Sequence, residues 1–273
     1  DICFSDGTMR WYDRQVPMRS ISESSPSSFV VDPEEDVLSD FFAAEIKPRK
    51  YEAVDIQSVV DQQHHLSMEQ KVKLFDVLKD FQQLFSGKLG VYKGRKIHLE
   101  LKPGAKPVHC KAFPVPHVHL KVFKEELDAL VRDGVLEPVG ATEHAYPTFI
   151  IPKKDGRVRW VTDFRKLNQN LVRPIYPLPR IQDILNRRSG YKFFTKIDIS
   201  MQYYTFELDE ESSNLCVIIT PFGKFRYKRL PMGVKPATDW SQEIMDDIFG
   251  DLSYREGFLD DIGAFAKWFE EHM

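Results

Sequence analysis

At 273 residues, with 42% hydrophobic and 29% charged side chains, the chain can form one large domain or two small ones of ordinary globular composition. No run approaches the roughly 18 consecutive apolar residues of a membrane helix, and residues 1–20 lack the apolar core of a secretory leader. The start at Asp1 therefore reads as an internal point of a longer protein. The net charge of −3 divides unevenly: 12 basic and 16 acidic residues in 1–95, 15 and 10 in 96–183, 11 and 15 in 184–273. A basic middle beside an acidic segment suits a polyanion grip next to a carboxylate cluster, although solvated faces carry the same pattern. Cys3, Cys110 and Cys216 are too scattered for a metal site or a disulfide framework, and His117 with His119 lacks further ligands at zinc spacing.

In chain order, residues 1–19 alternate apolar and polar side chains around Met9–Tyr12, predicting one or two short strands, with Asp6-Gly7-Thr8 as a turn. Residues 20–48, rich in Ser, Pro and acid, read as linker with a short helix near 38–44. Ser67 and Gln70 form a capping box before a helix whose stripe (Val72, Phe75, Leu78, Phe81, Leu84, Phe85) predicts core packing, stopped by Gly87. A second helix is expected over 119–133, with Phe123, Leu127, Leu130 and Val131 inward and Gly134 at its end. Thr148–Ile151 and Val158–Val161 flank a Lys-Lys-Asp-Gly turn at 153–156, which reads as a hairpin. A Pro-rich connection, a helix over 180–188 and a strand over 193–199 follow. A second hairpin (215–220 and 225–230), a helix over 239–249 and the apolar run Phe258-Leu259-Asp260-Asp261-Ile262 complete the chain. Strands mixed with helices, without βαβ alternation, predict an α+β fold.

Three carboxylates stand out. Asp198 ends an apolar strand, where a lone Asp is more often a cap or turn residue. Asp260-Asp261 between apolar flanks is either a solvated turn or a metal site, because adjacent carboxylates are costly to bury without a cation. Asp246-Asp247, by contrast, sits in an amphipathic helix and reads as a solvated face. A strand-end Asp and a hairpin Asp pair meet the needs of nucleotidyl transfer. There, two divalent ions roughly 4 Å apart activate a 3′-hydroxyl and stabilise the leaving pyrophosphate.

The stretches AFPVPHVH (112–119), GVLEPV (134–139), PTFIIPKKDGRVRWVTDFRKLN (147–168), YPLPRIQDIL (176–185), TKIDISMQYY (195–204), FGKFRYKRLPMGVKP (222–236) and FLDDIGAF (258–265) resemble, in order, the reverse transcriptase of gypsy-type LTR retrotransposons. The resemblance implies right-hand polymerase fingers and palm over 96–273, with an antiparallel palm sheet backed by helices and the thumb missing. It implies a helical pre-polymerase segment at 49–95 and an irregular, partly disordered protease-to-polymerase linker at 1–48. It assigns Asp198, Asp260 and Asp261 to two Mg2+ ions (Mn2+ being a possible substitute). Lys153 and Arg159 fall to the incoming triphosphate, Tyr203 to an aromatic gate against a 2′-hydroxyl, and Met232 and Gly233 to the same pocket. Asp163 and Arg165 take structural or template-side roles. The partners implied are dNTPs, an RNA or DNA template with its primer, and other Pol domains, without a membrane. The place is intracellular and cytoplasmic, in a virus-like particle if the element is active.

The sequence departs from the pattern at Gln202, where Gly or Ala is usual, at Phe258, where the hairpin has Tyr, and at Pro236-Ala237-Thr238, near a usual Ser-Pro. These departures, and an end at Met273 before thumb, RNase H and integrase, keep a second reading open: a catalytically silent nucleic-acid-binding fragment of a decayed element. A third, an RNA-templated RNA polymerase, predicts a smaller residue at the gate.

Overall fold

The computed structural model describes residues 2–3, 8–11, 14–17, 53–152 and 158–273, so the linker and short helix expected within 20–48 lie outside the described residues. Contacts group the chain into two compact units, 1–43 and 44–273. The first unit holds β1 (Ile2–Cys3), β2 (Thr8–Trp11) and β3 (Arg14–Pro17) in an antiparallel meander, one strand more than the alternation suggests.

The second unit begins with α1 (Ile56–Asp61), capped by Asp55, whose carboxylate accepts from the Gln57 backbone N–H at 3.1 Å. In α2 (Met68–Asp80) the expected capping box is present: Gln70 N–H donates to Ser67 Oγ at 3.3 Å and Ser67 N–H to Gln70 Oε1 at 3.0 Å. The predicted core packing of its stripe is corrected. No residue of α2 is buried, and Val72 and Leu84, the latter in the 3-10 turn Gln82–Phe85, are 56% and 73% exposed. Periodicity correctly located an apolar face, but it is covered only in part: Phe75, Leu78 and Phe85 are half-buried, while Val72, Phe81 and Leu84 stay exposed.

Then come α3 (His117–Arg132), β4 (Leu136–Val139), β5 (Tyr146–Pro152), β6 (Val158–Thr162), α4 (Arg165–Asn170), α5 (Ile181–Arg187) and β7 (Phe193–Asp198). The remainder is α6 (Gln202–Thr205), α7 (Glu210–Leu215), β8 (Val217–Thr220), β9 (Gly223–Tyr227), α8 (Ala237–Phe249), β10 (Arg255–Phe258), β11 (Asp261–Ala266) and α9 (Phe269–His272). α3 turns Phe123, Leu127 and Leu130 into the core and ends at Gly134, whose φ of 68° a side chain would strain. Leu215, expected in a strand, closes α7 instead. Asp209 caps that helix, accepting from Ser212 N–H at 2.8 Å.

Two sheets organise the unit. A five-stranded sheet runs β4-β9-β8-β5-β6, antiparallel except for β5 against β8. β4 carries Pro138, which cannot donate to a ladder, and accordingly lies at the edge. Over this sheet Phe123 meets Trp160 (ring centroids 4.8 Å apart), Phe164 meets Tyr146 (5.3 Å), and Tyr227 forms a buried polar hub. Trp160 Nε1–H donates to Tyr227 Oη at 3.0 Å, Thr162 Oγ1 bonds the same oxygen at 3.1 Å, and Thr148 Oγ1 bonds Thr162 at 2.9 Å. Every member is satisfied, which is the condition for a buried polar network to stabilise.

The second sheet, β10-β11-β7, is antiparallel throughout, and α8 backs it through Gln242, whose Nε2 donates to Gly257 O at 3.2 Å. Asp246 on α8 is more than a solvated face: it accepts from Tyr176 Oη and from Gln242 Nε2, each at 3.1 Å, while Asp247 stays exposed. A folded-back connection thus consumes one carboxylate of the pair.

Candidate active site

The register of the three-stranded sheet assembles the aspartates. Asp198, the last residue of β7, lies directly opposite Asp261, the first of β11. Phe258 pairs with Asp261, leaving Leu259-Asp260 as a two-residue hairpin turn. Asp260 is therefore at the tip and Asp261 one residue behind it. The Ile199 N–H donates to Asp260 O at 2.8 Å, tying the end of β7 to that tip. Leu259 has φ of 54°, and Met201, in the loop after Asp198, has φ of 55°. Among the described residues these are the only non-glycine residues at positive φ, each costing about 1–2 kcal/mol. Both strained positions lie in the segments that present carboxylates.

Asp198 and Asp260 are exposed and Asp261 is half-buried. Lys196, two residues before Asp198 on the same face of β7, places Nζ 2.9 Å from Asp261 Oδ1. That hydrogen bond, with the negative fields of Asp261, Asp198 and Asp260, raises the Lys196 pKa above its ordinary value. One cation has thus already collected where the three carboxylates act together, and an oxygen-only donor set is the kind hard divalent ions take. Among the described residues, no three His, Cys, Asp or Glu side chains converge as a ready-made metal cage. Mutual repulsion of unscreened carboxylates and the Lys196 ammonium on Asp261 both work against such convergence.

Tyr203 belongs with this group. It lies half-buried against the core at the start of α6, and burial, then the nearby negative charge of Asp260, raises its phenol pKa. The other expected residues belong to the five-stranded sheet and its borders. Arg159 is exposed on β6 opposite Ile151, while Lys153 lies outside the described residues. Asp163 and Arg165 hold each other in a fork, Nε–H to Oδ1 at 2.8 Å and Nη2–H to Oδ2 at 2.7 Å, and this bonding keeps the Asp163 carboxyl below its usual range. Met232 is 38% exposed, and Gly233 takes φ of 88° beside it. Asn168, which the sequence did not single out, fixes that turn: its Nδ2 donates to Gly233 O at 2.8 Å and its Oδ1 accepts from Lys235 N–H at 2.7 Å. Lys196 and Gln242 were also missed, because a single Lys in a strand or Gln in a helix carries no local signal.

The two sheets, with the carboxylates at the tip of the smaller, are those of the fingers and palm of a right-hand polymerase. The chain aligns with prototype foamy virus protease–reverse transcriptase at TM-score 0.72 and 21% identity, covering 82% of this chain and 31% of that one. Against the foamy viral protease–reverse transcriptase in complex with an RNA/DNA hybrid the TM-score is 0.71 at 18% identity, over 80% of this chain and 30% of that one. Residues 151–273 match the family "Reverse transcriptase (RNA-dependent DNA polymerase)". The retrovirus-related Pol polyprotein from transposon 412 of Drosophila melanogaster is 29% identical over 77% of this chain and 19% of its own length. An uncharacterized Caenorhabditis elegans protein is 36% identical over 71% of this chain and 15% of its own length. The chain belongs to the reverse transcriptases of LTR retrotransposons, and it spans less than a quarter of these two relatives.

Proposed function

We propose that this chain is the fingers and palm of an RNA-directed DNA polymerase of a gypsy-type element, adding dNTPs to a primer 3′-hydroxyl on an RNA or DNA template. The observation that carries the reading is the cross-strand pairing of Asp198 with Asp261, with Asp260 at the adjoining tip. Asp198, Asp260 and Asp261 would hold two Mg2+ or Mn2+ ions, which supply charge neutralisation at the triphosphate and a more acidic 3′-hydroxyl. The protein's share is positioning. The Tyr203 ring occupies the space below the sugar and excludes a 2′-hydroxyl. Arg159 and Lys153 bind phosphate oxygens, the first as a fork and the second as a point charge. Met232 and Gly233 border the nascent pair, and the Asp163–Arg165 fork steadies the template side.

Primer extension on an RNA template, with this chain alone and within its whole polyprotein, tests the reading. dNTP incorporation abolished by Asp260→Asn or Asp261→Asn supports it. No incorporation by either form, with both variants equal to wild type, sinks it. Equal use of ribonucleotides refutes the gate assigned to Tyr203. The Lys196–Asp261 pair favours a second reading, a catalytically silent nucleic-acid binder. It predicts template–primer binding that none of the three aspartates affects.

A further inference from the structure

Two buried glutamines meet at the strained turn of the carboxylate hairpin. Leu259 is the first residue of that turn, so neither its N–H nor its C=O joins the β10–β11 ladder. Both are nevertheless held by side chains. The Leu259 N–H donates to Gln242 Oε1 at 3.0 Å, and the Leu259 carbonyl accepts from Gln202 Nε2 at 3.1 Å. Each amide is itself oriented. Ser241 Oγ–H donates to Gln202 Oε1 at 2.8 Å, while Gln242 Nε2 donates to Gly257 O and to Asp246. Gln202, Ser241 and Gln242 are all buried, so these bonds have no water to replace them.

We infer that Gln202 and Gln242 form an amide clamp that sets the direction of Asp260 for metal binding, with Ser241 aligning the Gln202 amide. A leucine keeps a left-handed backbone only where its surroundings over-determine it, and the clamp is that determination. Turning the peptide after Leu259 swings Asp260 with it, and Asp260 O is what the Ile199 N–H grips beside Asp198. The clamp therefore fixes one carboxylate relative to another across the sheet. Gln202 follows Met201, the other strained residue, so one side chain links both left-handed positions. Gly or Ala at 202 could make none of these bonds, so the departure at this position acquires a role. These are positioning residues, and the inference rests on the polymerase reading above.

The test uses the full chain with Gln202→Met, which keeps the volume and removes the bonding. Mn2+ binding is read from loss of the free-ion EPR signal, alongside Mg2+ titration of primer extension and thermal unfolding. The expected result is metal affinity about 10- to 100-fold weaker, the range typical when a residue orienting a ligand is lost. The half-saturating Mg2+ rises with it, while the KM for dNTP stays at the wild-type value. The unfolding midpoint falls only by the few degrees that the unpaired Leu259 carbonyl and Ser241 hydroxyl cost, so that the variant remains folded at the assay temperature. Adding Leu259→Gly, which needs no clamp to sit at positive φ, restores metal affinity. Should Gln202→Met fail to fold, Ser241→Ala removes only the aligning bond and is judged by the same measurements. A folded variant that binds Mn2+ as wild type does overturns the clamp alone. A wild-type chain that binds no Mn2+ overturns the polymerase reading and the clamp together.

Discussion

Replacing Tyr227 by Phe removes one oxygen and no ring. That oxygen accepts the buried Trp160 indole N–H at 3.0 Å and bonds Thr162 at 3.1 Å. A hydrogen bond with Tyr204 converges on the same hydroxyl, whose pKa burial pushes upward. Thr162 keeps Thr148 as a partner at 2.9 Å, so its loss is partial. The Trp160 N–H keeps nothing. Stranding a buried donor costs about 1–3 kcal/mol and each further lost bond about 1 kcal/mol, giving a total of roughly 2–4 kcal/mol. For a unit of this size each kcal/mol lowers Tm by about 2–4 °C, so Tyr227→Phe should unfold roughly 4–16 °C below wild type. Urea unfolding gives the same quantity isothermally, with an unchanged slope expected because the surface exposed is the same. The double variant Trp160→Phe/Tyr227→Phe should lose less than the two singles together, because removing both partners strands neither. A single-variant loss below about 0.5 kcal/mol, or strict additivity of the pair, would refute the hub.

Other outcomes can be checked directly. Burial opposes ionisation of Glu256, yet hydrogen bonds and charge from Arg187 and Arg188 hold its carboxyl below the ordinary 4.5. That stability is present above pH 4.5 and is lost as pH falls through the lower folded value, so Glu256→Gln should flatten this part of the acid unfolding curve. Burial keeps His144 below its ordinary 6.5, so its contribution is complete above pH 6.5 and declines as pH falls below it. His144→Gln should remove that slope in a chemical unfolding series between pH 7 and 5. Ser67→Ala breaks the capping box of α2 at a cost of about 1 kcal/mol. With no α2 residue buried, the loss should appear as faster amide exchange in that helix and leave the global midpoint unmoved. Lys196→Met removes the ammonium from Asp261 and should tighten Mn2+ binding, most visibly at low salt. Unchanged affinity would show that Lys196 does not compete for the site.

What the sequence made legible was local. The Ser67–Gln70 box, the pairing of β5 with β6, the hairpin at 221–222, Asp198 at a strand end and Asp260 in a turn all follow from short-range pattern. The fingers-and-palm expectation followed from motif order, while the turn expected at 153–156 lies outside the described residues. The misses needed information from elsewhere in the chain. The α2 stripe announced an apolar face without saying whether anything packs on it. Asp246 looked like a solvated residue until Tyr176, far away in sequence, donated to it. Gln202 read as a deviation because its two partners, Ser241 and Leu259, come from a helix and a turn much later in the chain. The helix at 210–215 is different: Asp209 followed by Ser212 was a readable cap, overridden by the apolar run that begins at Leu215.

The pairing of Asp198 with Asp261 also sets a schedule for the nascent chain. The β5–β6 hairpin can close as soon as its own residues leave the ribosome. β5 must wait for β8 to complete the larger sheet, and β7 must wait for β11, after residues 199–260 have been made. Closing such loops costs entropy before any contact repays it, which slows folding and leaves strand edges open meanwhile. The two halves of the carboxylate group are thus separate while residues 199–260 are being made. The proposed metal site can form only after β11 has docked, and β7, with Phe194 facing outward, presents two open edges until then and one afterwards.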